Sequence, residues 1–181
     1  MDYYEKTVSS EMKFKGNIIK VETMTVTLPD GRTSTRDIVR HPGASVVIPL
    51  SSDNHLYVVR QYRKAIEKTT IELPAGKLDP GEDPKECAIR ELKEETGLEA
   101  EKVEHIISIH STPGFSDEIL HLYIATGLTE GQSVTDDDEF ISTEKIPVND
   151  LVKMIYNNEI TDAKSIIGIL LADRYLRGLQ E

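Results

Sequence analysis

The most informative segment of this chain is Gly76-Lys-Leu-Asp-Pro-Gly-Glu-Asp-Pro-Lys-Glu-Cys-Ala-Ile-Arg-Glu-Leu-Lys-Glu-Glu-Thr-Gly-Leu98. Its second half carries the start and stop signals of an α-helix. Asp83 is a favourable N-cap, Pro84 occupies the first helical position, and Glu86 lies three residues after the cap, as in a capping box. Gly97 follows the last turn, where a glycine commonly ends a helix. The segment therefore predicts a loop followed by a helix.

The predicted helix, Asp83–Thr96, has three distinct sides when it is laid out at about 100° per residue. An apolar side is predicted to pack and consists of Ala88, Ile89, Leu92 and Thr96. A charged side is predicted to face solvent and consists of Lys85, Glu86 and Lys93. The flank beside the packing side carries the carboxylates of Glu91, Glu94 and Glu95. Arg90 lies four residues before Glu94 and can pair with it.

Two interpretations of this acidic flank are open from the helix alone. Runs of charge are usually solvated faces with ordinary salt bridges. However, carboxylates four residues apart repel by about a few tenths of a kcal/mol, so the flank needs compensation. The preceding loop contains Gly76, Gly81 and a further carboxylate, Glu82. Oxygen donors clustered beside such a loop suit a hard divalent cation such as Mg²⁺ or Mn²⁺.

The composition limits the classes of function. The chain has 181 residues, 38% hydrophobic and 29% charged, which is typical of one globular domain with at most a small appendage. A formal net charge of −11 disfavours binding to extended nucleic acid and to anionic membranes, which repel an acidic surface. A small anionic substrate is still compatible, because a bound cation reverses the sign of the charge locally.

Cysteine usage and hydropathy favour the cytoplasm. Cys87 is the only cysteine, which excludes an internal disulfide and a cysteine-based zinc site. The first residues, Met1–Lys6, have neither the basic start nor the apolar run of a signal peptide. The longest apolar stretch, near Ile166–Ala172, is far shorter than the roughly 20 residues of a membrane span. We therefore expect a cytoplasmic protein.

Strands and helices are mixed along the rest of the chain. Rough alternation predicts a strand at 17–28, and apolar character predicts buried strands at 44–50 and 56–61. Further strands are predicted at 33–40, 69–73, 103–111 and 119–125, and helices at 150–157 and 162–176. The first two strands flank a turn at Pro29–Gly31 and form a small antiparallel unit, which we place at residues 1–42, before a main domain at 43–181. The pattern implies an α/β or α+β sandwich.

The segment quoted above resembles the Nudix box in full. It reads Gly76, five residues, Glu82, seven residues, Arg90-Glu91-Leu92, one residue, Glu94-Glu95, one residue, Gly97-Leu98. Seven identities and two apolar positions match without a departure, and a chance match is on the order of 10⁻¹⁰ per start position at average residue frequencies. The resemblance implies the Nudix fold, an α/β/α sandwich around a mixed sheet. It also implies cleavage of a nucleoside diphosphate linked to another group.

The resemblance assigns roles to the charged residues of the box. It makes Glu91 and Glu95 metal ligands, with Glu94 as a nearby contributor. Arg90 orients these carboxylates through ion pairs, and Glu82 orients Arg90 or contacts the metal indirectly. Mg²⁺ is the implied cofactor, with Mn²⁺ as a substitute, because divalent ions neutralise diphosphate oxygens and lower the pKa of bound water.

The start of the box adds backbone groups to this site. Gly76 permits close approach of the backbone to the carboxylates or the substrate. The carbonyl of Ala75 is consequently a candidate metal ligand.

Segments outside the box resemble the ADP-ribose pyrophosphatase subfamily. Pro113 stands fifteen residues after Leu98, where that subfamily carries a proline, and the surrounding Ser111–Glu118 resembles its substrate loop. Three segments before the box also resemble that subfamily, namely Arg36–Ala44, Arg60–Arg63 and Ile71–Gly76. The implied reaction is the Mg²⁺-dependent hydrolysis of ADP-ribose to AMP and ribose 5-phosphate.

The same resemblance implies further substrate contacts. Arg63 would grip the diphosphate bidentately, unless it is simply a surface arginine. Arg36 lies in the N-terminal unit, which in similar enzymes is exchanged between subunits and helps to bind the nucleotide. Glu118 would accept a hydrogen bond from a ribose hydroxyl. We expect a homodimer, because a two-stranded unit is marginal alone.

A second acidic run, Asp136–Glu139, is typical of a solvated loop. In similar enzymes a glutamate from this loop completes the site, as a metal ligand or as the base that activates water. Glu139 fits this role best, because Phe140 and Ile141 anchor it to a predicted strand. Asp137 and Asp138 remain rivals.

Two alternatives to ADP-ribose hydrolysis stay open. The box specifies the reaction and not the leaving group, so the substrate could be another nucleoside diphosphate sugar or a dinucleotide. The chain could also be a non-catalytic module that senses ADP-ribose, although the complete box argues against it.

Overall fold

A computed structural model of the chain describes residues 2–131 and 140–178. These residues form two compact units. The N-terminal unit comprises Met1–Gly43 together with Ile109–Ile119, and the main unit comprises Ala44–Ser108 together with Leu120–Glu181. The division at residues 42 and 43 stays a prediction, and the inclusion of Ile109–Ile119 in the N-terminal unit was not expected from the sequence.

The N-terminal unit contains a three-stranded antiparallel sheet. Its strands are β1 (Lys6–Lys15), β2 (Lys20–Thr27) and β3 (Thr33–Arg40), in the order β1-β2-β3. The turn predicted between β2 and β3 is present, and Gly31 in it has a φ of 86°, which glycine adopts readily. The sequence did not predict β1, because register shifts against β2 interrupt the alternation of polar and apolar residues that reveals a strand.

The described residues of the main unit form two sheets and three helices. The strands are β4 (Ala44–Pro49), β5 (His55–Arg63), β6 (Lys68–Glu72), β7 (Ala75–Lys77), β8 (Leu98–His110), β9 (Ile119–Glu130) and β10 (Ile141–Pro147). One sheet has the order β7-β4-β9-β8, and β4 runs parallel to β9 but antiparallel to β7. The other sheet is antiparallel, with the order β10-β5-β6. The predicted mixed sheet is therefore confirmed.

The helices are α1 (Pro84–Thr96), α2 (Val148–Tyr156) and α3 (Ala163–Gly178). Asp83 caps α1 by accepting a hydrogen bond from the Lys85 N–H at 2.8 Å. Gly97 ends α1 in the left-handed region, with a φ of 70°. The predicted cap at Asp83, the proline at the first helical position and the stop at Gly97 are thus confirmed. The two later helices lie within two residues of their predicted bounds.

The core of the main unit lies on both faces of β4, which is buried along its length. Val47 joins a cluster with Ala88 and Leu92 of α1. The neighbouring Ile48 points the other way, against Gly168 of α3. Because successive strand residues face opposite sides of a sheet, α1 and α3 cover opposite faces of β4. This arrangement confirms the predicted α/β/α sandwich.

In the described part of the chain, no helix combines the length and the apolar character that crossing a bilayer requires.

Candidate active site

Helix α1 turns two of its glutamates toward the sheet. Glu91 and Glu95 are only 8% and 6% exposed, so interpreting this flank as a solvated acidic face is wrong for both residues. Ile89, which was predicted to pack, is 40% exposed, and that prediction is wrong. The reason is the short strand β7, which lies against the glutamate flank and shifts the buried side of the helix toward it.

Gly76 in β7 lies directly against the carboxylate of Glu91. A Cβ atom at this position would overlap the Glu91 carboxylate carbon and Oε1 and come within 2.5 Å of Oε2. The neighbouring Ala75 N–H donates a hydrogen bond to Oε2 of Glu95 at 3.1 Å. The backbone of β7 thus packs directly against both buried carboxylates, and only a glycine leaves room for this approach.

Arg90 joins the remaining carboxylates of the box. Its Nε and Nη2 donate to the two oxygens of Glu82 at 2.9 and 3.0 Å. Its Nη1 donates to Glu91 Oε1 at 2.6 Å and to Glu94 Oε2 at 2.9 Å. The predicted pairing of Arg90 with Glu94 is confirmed. One guanidinium therefore connects the loop before α1 to two carboxylates of the helix.

The charge of Arg90 governs the protonation of Glu82. Hydrogen bonds from the guanidinium lower the pKa of Glu82 to about 2, so this carboxylate is ionised at neutral pH. The carboxylates in turn raise the pKa of Arg90. Glu82 and Arg90 therefore form an ionised pair at neutral pH beside the carboxylates of α1.

The donor set fits a hard divalent cation in its chemistry. Glu91 and Glu95 present carboxylate oxygens beside a β7 backbone that includes the Ala75 carbonyl. Within residues 2–131 and 140–178, no three His, Cys, Asp or Glu side chains are grouped so that they alone could hold a metal ion. A Mg²⁺-type ion is usually bound through one or two carboxylates and takes its other oxygens from water and phosphate, which matches this arrangement.

Arg63, predicted to bind diphosphate, lies at the end of β5 in the same unit. Its Nε and Nη2 donate to both oxygens of Glu72 at 2.7 and 2.6 Å, and its side chain is 41% exposed. Glu72 also accepts hydrogen bonds from Lys164 and Thr70. The guanidinium is thus held in a fixed orientation from one edge, and its role toward substrate stays a prediction.

Glu72 is a buried carboxylate whose importance sequence reasoning missed. Burial alone would raise the pKa of Glu72, but the hydrogen bonds from Arg63, Lys164 and Thr70 and the charge of Lys164 lower it to about 2. A signal was available, because an acidic residue at the end of a predicted buried strand needs a partner. The partner Lys164, 92 residues further on, had no signal of its own.

Three predicted substrate contacts lie in the N-terminal unit: Arg36, Pro113 and Glu118. Arg36 donates from Nε and Nη2 to the carboxylate of Glu5 at 3.0 and 2.6 Å. Pro113 lies in a turn. Glu118 accepts a hydrogen bond from the Ser111 hydroxyl at 2.5 Å. Their roles in binding substrate stay predictions.

The second acidic locus falls outside the described residues. Glu139 and its rivals Asp137 and Asp138 belong to this part of the chain. The strand predicted to follow them is present as β10. The role of Glu139 as metal ligand or base stays a prediction.

The family model described as "NUDIX domain" matches residues 39–167 of this chain. The chain therefore belongs to the Nudix family, and the resemblance stated from the box is confirmed.

Two curated relatives with at least 40% identity match this chain over more than nine tenths of its length. A "Methanol dehydrogenase activator" of Bacillus methanolicus is 44% identical over 92% of this chain and 91% of the relative. An "ADP-ribose pyrophosphatase" of Bacillus subtilis (strain 168) is 40% identical over 91% of this chain and 90% of the relative. Among solved structures, a crystal structure of an "ADP compounds hydrolase" superposes with a TM-score of 0.85 at 21% identity, over 97% of this chain and 95% of that one. This likeness confirms the fold.

Proposed function

We propose that this chain is a Nudix pyrophosphohydrolase that cleaves the diphosphate bond of ADP-ribose and releases AMP and ribose 5-phosphate. The observation that carries the proposal is the packing of Glu91 and Glu95 against the β7 backbone within a complete Nudix box. The relative named ADP-ribose pyrophosphatase supports the choice of substrate.

The proposed cofactor is Mg²⁺, with Mn²⁺ as a substitute. Glu91, Glu95 and the Ala75 carbonyl would hold the ion, which when bound neutralises diphosphate oxygens and lowers the pKa of a bound water. Arg90 holds Glu91 and Glu94 in place and is itself oriented by Glu82. These contacts hold the box carboxylates in a defined orientation, which is what electrostatic stabilisation of a reacting diphosphate requires.

The substrate contacts are proposed from the resemblance and from local geometry. Arg63 is suited to an anionic diphosphate, because Glu72 occupies one edge of the guanidinium and fixes its plane. We assign Arg36, Pro113 and Glu118 to nucleotide and ribose binding, and Glu139 to the metal or to activation of water. Asp137 and Asp138 remain rivals of Glu139.

A homodimer in the cytoplasm is the proposed assembly and location. The three-stranded sheet exposes apolar side chains on β1, namely Val8, Met12 and Phe14. A sheet with such a face is stabilised when another surface covers it, and a second copy of the N-terminal unit is the proposed cover. Light scattering at micromolar concentration tests this, and a mass near 20.3 kDa, that of one chain, would contradict it.

The reaction is tested with purified protein, ADP-ribose and Mg²⁺, followed by chromatography of AMP and ribose 5-phosphate. The variant Glu95→Gln removes one proposed ligand charge while keeping the side-chain shape. Unchanged turnover in this variant would refute the metal assignment. A panel of other nucleoside diphosphate sugars and dinucleotides, compared by kcat/KM, decides between ADP-ribose and the alternatives.

A second candidate function is favoured by the relative named methanol dehydrogenase activator. In this candidate the chain raises the activity of a methanol dehydrogenase. The test adds the wild-type chain or Glu95→Gln to such a dehydrogenase and measures alcohol oxidation. Stimulation by both proteins would indicate a binding role, stimulation by the wild type alone would link activation to hydrolysis, and no stimulation by either would reject this candidate.

A further inference from the structure

Glu72 lies between two cations that come from distant parts of the main unit. Its side chain is 3% exposed, and it accepts two hydrogen bonds from Arg63 of β5. Lys164, in the first turn of α3, donates to the same carboxylate and is 12% exposed. A buried carboxylate is thus shared by a partly exposed arginine and a largely buried lysine.

The start of α3 holds Lys164 in this position. Asp162 accepts hydrogen bonds from Lys164 Nζ at 2.9 Å and from the Ser165 N–H at 3.0 Å, which caps the helix. The Ser165 hydroxyl donates to Asp162 at 2.5 Å and accepts from the Leu73 N–H at 2.7 Å. The helix start is therefore tied directly to residues 72 and 73, which lead into β7 and the Nudix box.

The charges of this cluster balance. Arg63 and Lys164 contribute two positive charges, and Glu72 and Asp162 contribute two negative charges. Without Lys164 the same cluster would carry a charge of −1 and Glu72 alone would neutralise Arg63. Glu95 of the box also acts electrostatically on Arg63, so the cluster lies within electrostatic range of the candidate active site. In the absence of Lys164, an anionic diphosphate would therefore meet an excess of negative charge near Arg63.

We propose that Lys164 is a positioning residue for substrate binding: it shares Glu72 with Arg63 and so keeps the charge of Arg63 available to the diphosphate. The inference rests on the proposed function, in which Arg63 contacts that diphosphate. Lys164 is itself too enclosed by Glu72 and Asp162 to be assigned a direct contact. It acts through the charge and orientation of Arg63.

Two variants that remove charges of opposite sign from the cluster test the inference. Lys164→Gln removes the positive charge but keeps a hydrogen-bond donor. Asp162→Asn removes the opposing negative charge but keeps a side-chain oxygen, which can still cap the helix and accept the hydrogen bond that holds Lys164. Lys164→Arg is the conservative variant, and Lys153→Gln is the matched control, because Lys153 is 73% exposed on α2 and pairs with Asp150. The readouts are KM and kcat for ADP-ribose with Mg²⁺, and Kd by calorimetry with metal chelated. Thermal melting verifies that each variant is folded.

Lys164→Gln is expected to raise KM and Kd about tenfold with kcat within about threefold of wild type, and Lys164→Arg to restore most of the binding. Asp162→Asn is expected to lower Kd by a few-fold. Loss of structure would raise Kd instead, so this variant tests the inference even if Lys164→Gln does not fold. Lys153→Gln should stay within twofold of wild type.

The outcomes separate this inference from the proposed function. Equal binding by wild type and Lys164→Gln, or equal weakening by Lys164→Gln and Asp162→Asn, would overturn the positioning role while leaving hydrolysis intact. A wild-type chain that neither binds nor cleaves ADP-ribose or any member of the nucleotide panel would overturn both.

Discussion

Gly76 and Glu91 are in such close contact that the glycine has no room for a side chain on the side that faces the carboxylate. The contact joins a three-residue strand to the middle of α1. It explains how a glutamate can be buried on a helix flank that is otherwise polar. The same contact makes the first glycine of the box a direct determinant of where the box carboxylates lie.

Replacement of Gly76 by alanine is expected to displace Glu91 and to lower kcat/KM for ADP-ribose by about 100-fold or more, since errors of about 1 Å in a catalytic group have effects of this size. The measurement is steady-state hydrolysis with Mg²⁺. Gly178→Ala is the matched control, because among the described residues, apart from its chain neighbours and its own helix backbone, no atom lies within 4 Å of the added Cβ there. Full activity of Gly76→Ala would show that the position of Glu91 is irrelevant to the reaction.

Arg90→Lys is expected to reduce activity by roughly 10- to 100-fold and to raise the Mg²⁺ concentration needed for half-maximal rate. The reason is geometric, because a lysine cannot reproduce the planar set of donors with which Arg90 contacts Glu82, Glu91 and Glu94. Titration of the rate with Mg²⁺ measures both effects. Arg177→Lys, in an exposed pair with Asp173, serves as the control.

Local signals in the sequence predicted α1 well. Asp83 and Gly97 cap the helix by contacts within a few residues, so their effect does not depend on the rest of the fold. The burial of Glu91 and Glu95, in contrast, does depend on the rest of the fold. Periodicity placed them beside the packing face, but only the position of β7 shows that this flank is covered, and a strand of three residues has too short a pattern to be recognised.

The cluster around Glu72 could be predicted only in part. An acidic residue that follows the apolar Ile71 and precedes Leu73 indicates a buried charge that needs a partner. Neither Lys164 nor Ser165 carries a sequence signal for this role, because both contacts are made across 92 residues by the packing of α3 on the sheet. Long-range pairs of this kind require the tertiary structure.

Gly168→Ala in α3 is expected to destabilise the protein by about 1–3 kcal/mol, because the new Cβ would overlap Leu73 and come within 3.3 Å of Ile48. Helix propensity alone predicts the opposite sign, with a gain of up to about 1 kcal/mol. Overpacking dominates, since both neighbours are fully buried and cannot move aside cheaply. Urea denaturation of the variant, with Gly178→Ala as the control, measures the difference. A stabilised Gly168→Ala would mean that the core is looser at α3 than the contacts indicate.

The ionisation of Glu72 is expected to make stability depend on pH in the acid range. Its pKa is lowered from 4.5 to about 2, because Arg63, Lys164 and Thr70 outweigh the effect of burial. The folded state therefore holds this proton less tightly than the unfolded chain, so the stabilisation is complete above about pH 5 and is lost as pH falls from 4.5 toward 2. Its size is on the order of 3 kcal/mol.

Comparison with Glu72→Gln isolates this contribution, because glutamine resembles the protonated acid in shape and does not titrate. In urea denaturation, wild type should exceed Glu72→Gln in free energy of unfolding at pH 7, and the difference should shrink steadily below pH 4.5. A difference that stays constant from pH 7 to pH 3 would show that Glu72 titrates alike in the folded and unfolded chains, and that its ion pairs contribute nothing to stability.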